Sequence, residues 1–300
     1  MAPVEGFRPV HQPVLLAETM ELLAVRPGAL YVDGTVGLGG HAAEVLARSA
    51  PDGSLVAFDR DPEALRHAAA RLAEFGPRVR FEHADFREIP ERLGGEAPGG
   101  VLLDLGVSSL QLDEARRGFS FSAEGPLDMR MDPSRGFTAA DLVNRLPERE
   151  LADVIYRWGE EHRSRRIARA IVEARRARRL DTTTALAEVV RRAAGRSRRP
   201  GLDPATRTFQ ALRIQVNREL EGLGGALDSI ASTLAPGGRL AVIAFHSLED
   251  REVKQAFRGL ATRGFRLLTK KPLRPTEEEV RRNPRSRSAR LRAIEREMAA

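Results

Sequence analysis

A glycine-rich turn between an apolar run and a helix-forming run constrains the fold of this chain more than any other feature. The apolar run Leu30–Val32 ends at Asp33, and residues 42–47 form a helix readily. Between them, four glycines fall within seven residues: Gly34, Gly37, Gly39 and Gly40. Glycine permits a sharp turn and a close approach of the backbone to a ligand. The segment therefore predicts a strand, a ligand-binding turn and a helix whose first amide groups are free.

An acidic residue at the end of a second apolar run supports this interpretation. The run Leu55–Phe58 ends at Asp59, which lies 20 residues after Gly39. In nucleotide-binding sheets, an acid at this distance from the glycines holds the ribose hydroxyl groups. The alternative for Asp59 is a carboxylate that only caps the end of a strand. The glycine spacing G-x-x-G-x-G-G differs from the dinucleotide fingerprint G-x-G-x-x-G, and this difference disfavours a nicotinamide oxidoreductase.

One alternating segment and one apolar run predict further strands of the same sheet. Val79–Ala84 is followed by Asp85 and Phe86, and Gly100–Leu103 is followed by Asp104. Four strands alternating with helices predict an α/β fold with a parallel, doubly wound sheet, whose ligands lie at the carboxyl ends of the strands. Phe86 is either a stacking partner for an adenine or an ordinary core residue. The acids at the four strand ends together predict a binding site: Asp33, Asp59, Asp85 and Asp104.

A helical segment then interrupts the alternation of strands and helices. Residues 113–205 predict a helical insert, after which a helix over 206–220 and the strand Arg239–Phe245 restore the α/β pattern. The insert contains a strongly basic helix, Ser164–Arg179, whose arginine face is either a phosphate-binding surface or a solvated face. A second basic stretch, 195–201, ends the insert. The basic tail over 283–292 is predicted to be partly disordered, and either follows a nucleic acid or is simply solvated.

The residues after the strand Arg239–Phe245 are a further candidate for the site. His246 follows the strand directly, and Ser247 with Asp250 three residues later predicts a capping box at a helix start. His246 is therefore either a site residue or part of a helix start.

Composition limits the class of function. The chain has 300 residues and no cysteine, so it has no disulfide, no thiolate metal site and no cysteine nucleophile, and no metal site is predicted. No apolar run of membrane-spanning length and no signal pattern is present, which predicts a cytoplasmic protein without a membrane partner. The net charge is +7, and nearly all of the positive charge is arginine. Because arginine binds phosphate and stacks on bases, the charge is typical of a protein with a nucleic-acid partner.

Six segments together resemble the ribosomal RNA small subunit methyltransferase H family. They are 33–41, 104–109, 117–121, 125–132, 205–214 and 245–251, and the similarity runs from about Val10 to Ala293. The resemblance implies a class I S-adenosylmethionine-dependent methyltransferase sheet (Rossmann-like) with an inserted helical domain. It also implies that S-adenosylmethionine is the cofactor, and that N4 of a cytidine in the decoding region of bacterial 16S rRNA, within the small ribosomal subunit, is methylated.

The resemblance implies roles for parts of the chain. Residues 1–112 and 206–300 correspond to the methyltransferase domain, and 113–205 to an insert for rRNA recognition. His41 and Gln111 are assigned to the cofactor site by the resemblance alone. The complete set of implied cofactor contacts is Gly39, Gly40, His41, Asp59, Phe86, Asp104 and Gln111.

The chemistry of an exocyclic amine suggests which residues act on the base. The cytosine amine is a poor nucleophile because its lone pair is delocalised into the ring, and a hydrogen-bond acceptor such as Asp104 localises that pair. Many amino-methyltransferases carry Asp/Asn-Pro-Pro-aromatic at this place, whereas residues 104–107 here read Asp-Leu-Gly-Val. The stacking aromatic must therefore come from elsewhere. The candidates that grip the base are Phe119, Phe121, Asp128, Arg130 and His246.

Two other functions remain open from the sequence. One is a non-catalytic ribosome assembly factor that keeps the fold and the basic face without turnover. The other is methylation of amino groups in DNA. A panel of nucleic-acid substrates distinguishes these functions from rRNA methylation.

Overall fold

The chain folds into two compact units, an α/β unit and a helical unit. The computed structural model describes residues 13–195, 201 and 203–298. The α/β unit consists of Met1–Gly106 and Leu223–Ala300, and the helical unit is Val107–Gly222. The basic stretch over 196–200, predicted to end the insert, lies outside the described residues, as do residues 1–12.

The α/β unit is built on a mixed seven-stranded sheet with the order β3-β2-β1-β4-β5-β7-β6. The first five strands pair in parallel, and β7 is antiparallel to both β5 and β6. The predicted α/β class and the five predicted strands are thus confirmed. The strands are β1 Leu30–Asp33, β2 Ser54–Asp59, β3 Val79–His83, β4 Gly100–Asp104, β5 Arg239–Ala244, β6 Phe265–Leu267 and β7 Arg290–Arg296.

Helices follow the strands in sequence and dominate the second unit. In the part of the chain described above they are α1 Leu16–Leu23, α2 Gly40–Arg48, α3 Pro62–Arg71, α4 Ile89–Leu93, α5 Ser109–Asp113, α6 Ala139–Arg145, α7 Glu148–Gly159, α8 Ser164–Ala177, α9 Thr183–Ala194, α10 Thr206–Asn217, α11 Leu223–Thr233, α12 Ser247–Leu260 and α13 Glu277–Arg282. Helices α5 to α10 belong to the helical unit. None of the described helices is both long enough and apolar enough to cross a membrane.

The centre of the sheet is the apolar strand β4. Val101, Leu102 and Leu103 are at most 1% exposed, as expected for a parallel strand that is covered on both faces. This burial places the polar ends of the strands, rather than their middles, at the surface where a ligand can bind.

The prediction of a partly disordered basic tail was wrong, because the tail contains the interior strand β7. Leu291, Ala293 and Ile294 are fully buried between β5 and β6. The charged residues are accommodated by ion pairs: Arg292 Nε lies 2.7 Å from an oxygen of Asp250 on α12. Strand β7 therefore alternates ion-paired arginines with buried apolar residues. Its composition is similar to that of a solvated tail, although the strand is interior.

The helical unit extends further along the chain than the predicted insert of 113–205. Helix α10, assigned to the α/β part from the sequence, packs on α7, and its Phe209 and Leu212 are buried in the helical core. Its last residue, Asn217, is also buried and belongs to the same unit. The Asn217 side chain donates to the carbonyl of Met129 at 2.7 Å and accepts from the amide of Met131 at 2.8 Å. These contacts make α10 part of the helical unit.

Candidate active site at the carboxyl ends of the strands

The glycine turn connects β1 to α2 and lies over the carboxyl ends of three strands. The Gly34 amide donates to the Leu102 carbonyl of β4, and the Val36 amide donates to the Phe58 carbonyl of β2. A Cβ atom at Gly34 would lie 2.3 Å from Leu103, so no larger residue fits there. Gly39 caps α2 with a φ of 76°, and Gly40 is the first residue of that helix. One side of the turn is therefore packed closely against the sheet. The turn leads directly into the first turn of α2, whose amide groups are free to bind a ligand.

Asp59 at the end of β2 fixes this turn. One carboxylate oxygen accepts from the Gly37 amide and the other from the Asp61 amide, both at 2.9 Å. Burial raises the pKa of Asp59 to about 6, although the two amides oppose this change. Asp59 thus has a structural function in the turn, and each of its oxygens keeps a second lone pair for a ligand.

Asp33 at the end of β1 is a second buried carboxylate. It is 3% exposed, and one of its oxygens accepts from the Thr35 amide at 3.1 Å. Burial raises the pKa of Asp33 to about 7, and the negative charge of Asp59 contributes to the increase. The chain therefore keeps an acid here at a cost in stability.

Asp104 at the end of β4 is a third acid of the site with a raised pKa. Burial raises the pKa of Asp104 well above its usual range, and the nearby charges of Asp33 and Glu249 act in the same direction. Its amide donates to the Thr35 hydroxyl at 2.6 Å. Its Oδ1 atom is buried and makes no hydrogen bond within the described residues. A buried acceptor without a partner is costly, and such a group marks a place where a ligand can donate a hydrogen bond.

His41 lies beside Asp104 in the first turn of α2. Its Nε2 atom lies 3.0 Å from the Val14 carbonyl, and because a carbonyl only accepts, Nε2 carries the proton. Its Nδ1 atom therefore faces Asp104 Oδ2, at 3.8 Å. The structure thus brings together His41, Asp59 and Asp104 around the glycine turn. Thr35 is a site residue that the sequence analysis did not identify, and its hydroxyl links the turn to β4 by accepting from the Asp104 amide. Its position two residues after a strand-end acid is the signal that points to it.

Phe86 follows β3 and is buried. Its exposed fraction is 8%, and the guanidinium carbon of Arg87 lies 4.6 Å from the ring centroid. The neighbouring Asp85 caps the following turn and forms ion pairs with Arg60 and Arg87. The carboxylate of Asp85 is therefore occupied by protein groups, unlike that of Asp104.

His246 caps helix α12, and the predicted capping box of Ser247 and Asp250 was wrong by one residue. His246 Nδ1 accepts from the Glu249 amide, and the Glu249 carboxylate accepts from the amides of Phe245 and His246. Glu249 Oε1 also lies 3.1 Å from His246 Nε2. Glu249 thus contacts both ring nitrogens of His246, and Asp250 instead binds the arginines of β7. The sequence had not singled out Glu249, which is 2% exposed.

The other candidates lie in the helical unit. Gln111 is buried in α5, where its side chain accepts from the Ser108 amide in a capping box. Asp128 and Arg130 form a two-pronged ion pair with both N···O distances at 2.8 Å.

The two predicted base-gripping aromatics, Phe119 and Phe121, also belong to this unit. Phe119 is buried in its core. Phe121 packs edge-on against Phe209, with 4.6 Å between the ring centroids, and Arg191 covers it. Both rings therefore pack against helical residues of their own unit.

Comparisons with known proteins identify close relatives along nearly the whole chain. The model of the MraW methylase family matches residues 8–297. A ribosomal RNA small subunit methyltransferase H of Syntrophobacter fumaroxidans is 52% identical over 309 residues, covering 96% of each chain. A protein of the same name from Symbiobacterium thermophilum is 52% identical over 304 residues, covering 95% of this chain and 96% of the relative. The solved structure of PH0851 has the same fold, with a TM-score of 0.50 and 15% identity, covering 95% of this chain and 46% of its own.

Proposed function

Because this chain belongs to the MraW methylase family, we propose that it methylates N4 of a cytidine in the decoding region of 16S rRNA, within the small ribosomal subunit. Its sheet is of the class I methyltransferase type, and its methyl donor is S-adenosylmethionine. The relatives carry a name that specifies small-subunit rRNA methylation. The choice of a cytidine amine rests on the resemblance to the rRNA small subunit methyltransferase H family, and the unpartnered oxygen of Asp104 is an acceptor that suits such an amine.

The α/β unit fits a ligand of the type of S-adenosylmethionine. The glycine turn ends at the free amide groups of α2, and Asp59 has lone pairs for ribose hydroxyl groups. The buried acids favour a ligand that carries positive charge. We assign cofactor binding to the residues named from the sequence: Gly39, Gly40, His41, Asp59, Phe86, Asp104 and Gln111.

Asp104 is proposed as the catalytic residue. When bound, the cofactor supplies an activated methyl group on a positively charged sulfur, so the protein mainly aligns donor and acceptor. Asp104 Oδ1 accepts a hydrogen bond from the exocyclic amine, which localises the nitrogen lone pair for attack. A cation in the site lowers the pKa of Asp104, because an opposite charge favours the carboxylate form. The methylated amine then loses a proton easily, and no base of specially adjusted pKa is needed.

The other catalytic candidates act by position in this proposal. Because His246 Nδ1 accepts from the Glu249 amide, that ring is held in place, and its buried Nε2 atom makes no hydrogen bond within the described residues. Asp128 and Arg130 neutralise each other, and we propose that they hold the segment 125–131 that contacts the base. The helical unit as a whole is proposed to recognise the rRNA.

Methyl transfer to a panel of acceptors tests this function. Labelled S-adenosylmethionine is offered with small subunits that lack the modification, naked 16S rRNA, duplex DNA and single-stranded DNA, and the product nucleoside is identified by mass spectrometry. We expect N4-methylcytidine in the ribosomal sample, and its loss in Asp104→Asn. Label in DNA alone contradicts the substrate, and cofactor binding without any label supports an assembly factor instead.

A further inference from the structure

A large exposed aromatic side chain lies on the helical unit at the end of α7. Tyr156 is 57% exposed, although aromatic side chains of this size are usually covered. The His162 ring lies edge-on to it, with 6.3 Å between the centroids. His162 belongs to the turn between α7 and α8, so the two rings mark the corner where these helices meet. We call this the α7–α8 corner.

The arginines that follow the corner separate into two groups. Arg163 and Arg175 serve the fold, since they donate to the carbonyls of Ala194 and Val143 respectively. Arg165 and Arg166 are exposed in the first turn of α8 and form no ion pair or hydrogen bond within the described part of the chain. They also lie at the end of the helix where its dipole disfavours positive charge. The fold therefore accounts for the presence of Arg163 and Arg175, but it does not account for Arg165 and Arg166.

A groove continues from these free arginines between α8 and α9. Its volume is about 560 Å³, and its charged lining consists of Arg166, Arg169, Arg192 and Glu173, above small apolar residues. Arg169 is exposed and has only a loose ion pair with Glu148, at 3.6 Å. An exposed pair of this kind contributes little to stability. The groove therefore offers three arginines against one acid to an anionic ligand.

We propose that the α7–α8 corner and the α8–α9 groove together bind a single-stranded segment of RNA. An unpaired base stacks on Tyr156, and the phosphates that follow it lie along Arg166, Arg169 and Arg192. A paired base has no free face for such a stack, and this selects single strands over duplex. The inference rests on the proposed function and deepens it, because it names the surface that holds the substrate.

The aromatic part is tested with Tyr156→Ala and Tyr156→Phe. Binding of the full-length protein to a fluorescent single-stranded RNA 12-mer is followed by anisotropy. Stacking of one base contributes about 1–3 kcal/mol, so Tyr156→Ala should weaken binding by about 10-fold or more, at every salt concentration. Tyr156→Phe keeps the ring and should bind like the wild type. Equal binding by the wild type and both variants would show that no base stacks on Tyr156.

The charged part is tested through the salt dependence of the same binding. Each contact to a single-strand phosphate contributes about 0.7 to the slope of log K against log salt, so replacing all three groove arginines by glutamine should reduce the slope by about 2. The control replaces three exposed basic residues of the α/β unit by glutamine: Arg71, Lys254 and Arg258. The same loss in the control would mean that net charge, and not the groove, binds the RNA.

Two further comparisons separate this inference from the proposed function. A duplex RNA of the same length should bind more weakly and be insensitive to Tyr156→Ala; tighter duplex binding would contradict the single-strand surface. The variants are also assayed for methylation of small subunits. If a variant that has lost its RNA affinity methylates small subunits normally, the proposed RNA-binding surface is refuted and the proposed activity is not. Wild-type protein that binds RNA through Tyr156 but methylates nothing refutes the proposed activity alone.

Discussion

The buried carboxylate of Asp33 should make the protein less stable as the pH rises. Its pKa is raised to about 7 in the folded chain, from an ordinary value of 3.8. Between these two values the folded state holds a proton that the unfolded chain has lost. The stabilising contribution of the protonated form is therefore complete below pH 4 and is lost as the pH rises towards 7. Asp33→Asn removes this titration and keeps an oxygen that accepts from the Thr35 amide.

The size of the effect follows from the two pKa values. Where only the folded state is protonated, each pH unit changes the free energy of unfolding by about 1.4 kcal/mol. From pH 5 to pH 7 the wild type should therefore lose about 2 kcal/mol more stability than Asp33→Asn, because the folded chain itself loses the proton as the pH approaches 7. Urea unfolding at pH 5, 6 and 7, without cofactor and followed by circular dichroism, measures this difference. The difference in stability gained per pH unit should become smaller as the pH approaches 7.

Asp52 provides a matched control for Asp33. Asp52 is an exposed acid of the same unit, so Asp52→Asn should leave the pH dependence of stability as it is in the wild type. Parallel stability curves for the wild type and Asp33→Asn would refute the reasoning, because Asp33 would then titrate alike in the folded and the unfolded chain. A difference of opposite sign would mean that a cation holds Asp33 ionised.

Three further predictions concern single side chains. Asp59→Ala leaves the amides of Gly37 and Asp61 without acceptors, so calorimetric affinity for S-adenosylhomocysteine should fall about 10-fold or more, and unchanged affinity would exclude Asp59 from the site. Asp104→Asn should slow methyl transfer about 100-fold at saturating S-adenosylmethionine; full turnover would exclude its catalytic role. Asn217→Ala removes two hydrogen bonds from the backbone of 129–131 and should destabilise the helical unit by about 3 kcal/mol in urea unfolding followed by the fluorescence of the single tryptophan. An unchanged midpoint would contradict that role for Asn217.

The central part of the sheet could be predicted because its signals are local. A wholly apolar run such as Val101–Leu103 must be buried on both faces, and a glycine cluster after a strand leaves few alternatives to a ligand turn. The positions of Asp59 and Asp104 at the strand ends follow from the same runs. These elements need no knowledge of distant parts of the chain.

Strand β7 and helix α10 could not be predicted in the same way, because their environment depends on distant partners. The arginines of β7 are buried only because Asp250, some forty residues earlier, neutralises them. Helix α10 joins the helical unit because Phe209 and Asn217 find partners there. Neither partner is visible in the local pattern of the sequence.

The positions of the polar site residues at the strand ends were predictable, although their hydrogen bonds were not. A strand-end acid could be assigned to a ribose from its spacing, but the two amides that Asp59 also binds come from two different segments of the chain. From the sequence, His246 was equally compatible with a site residue and with the start of a helix. The structure places it at the helix start, because Glu249 is close enough to contact both of its nitrogens.

The three acids at the strand ends have a common physical consequence. Burial raises the pKa of Asp33, Asp59 and Asp104, and neighbouring acids add to each increase. Such an arrangement opposes ionisation in the empty site and favours a positively charged ligand. Methyl transfer converts a sulfonium into a neutral thioether, so the electrostatic part of this attraction ends when the reaction is complete. We therefore expect the acids that destabilise the fold to assist both cofactor binding and product release.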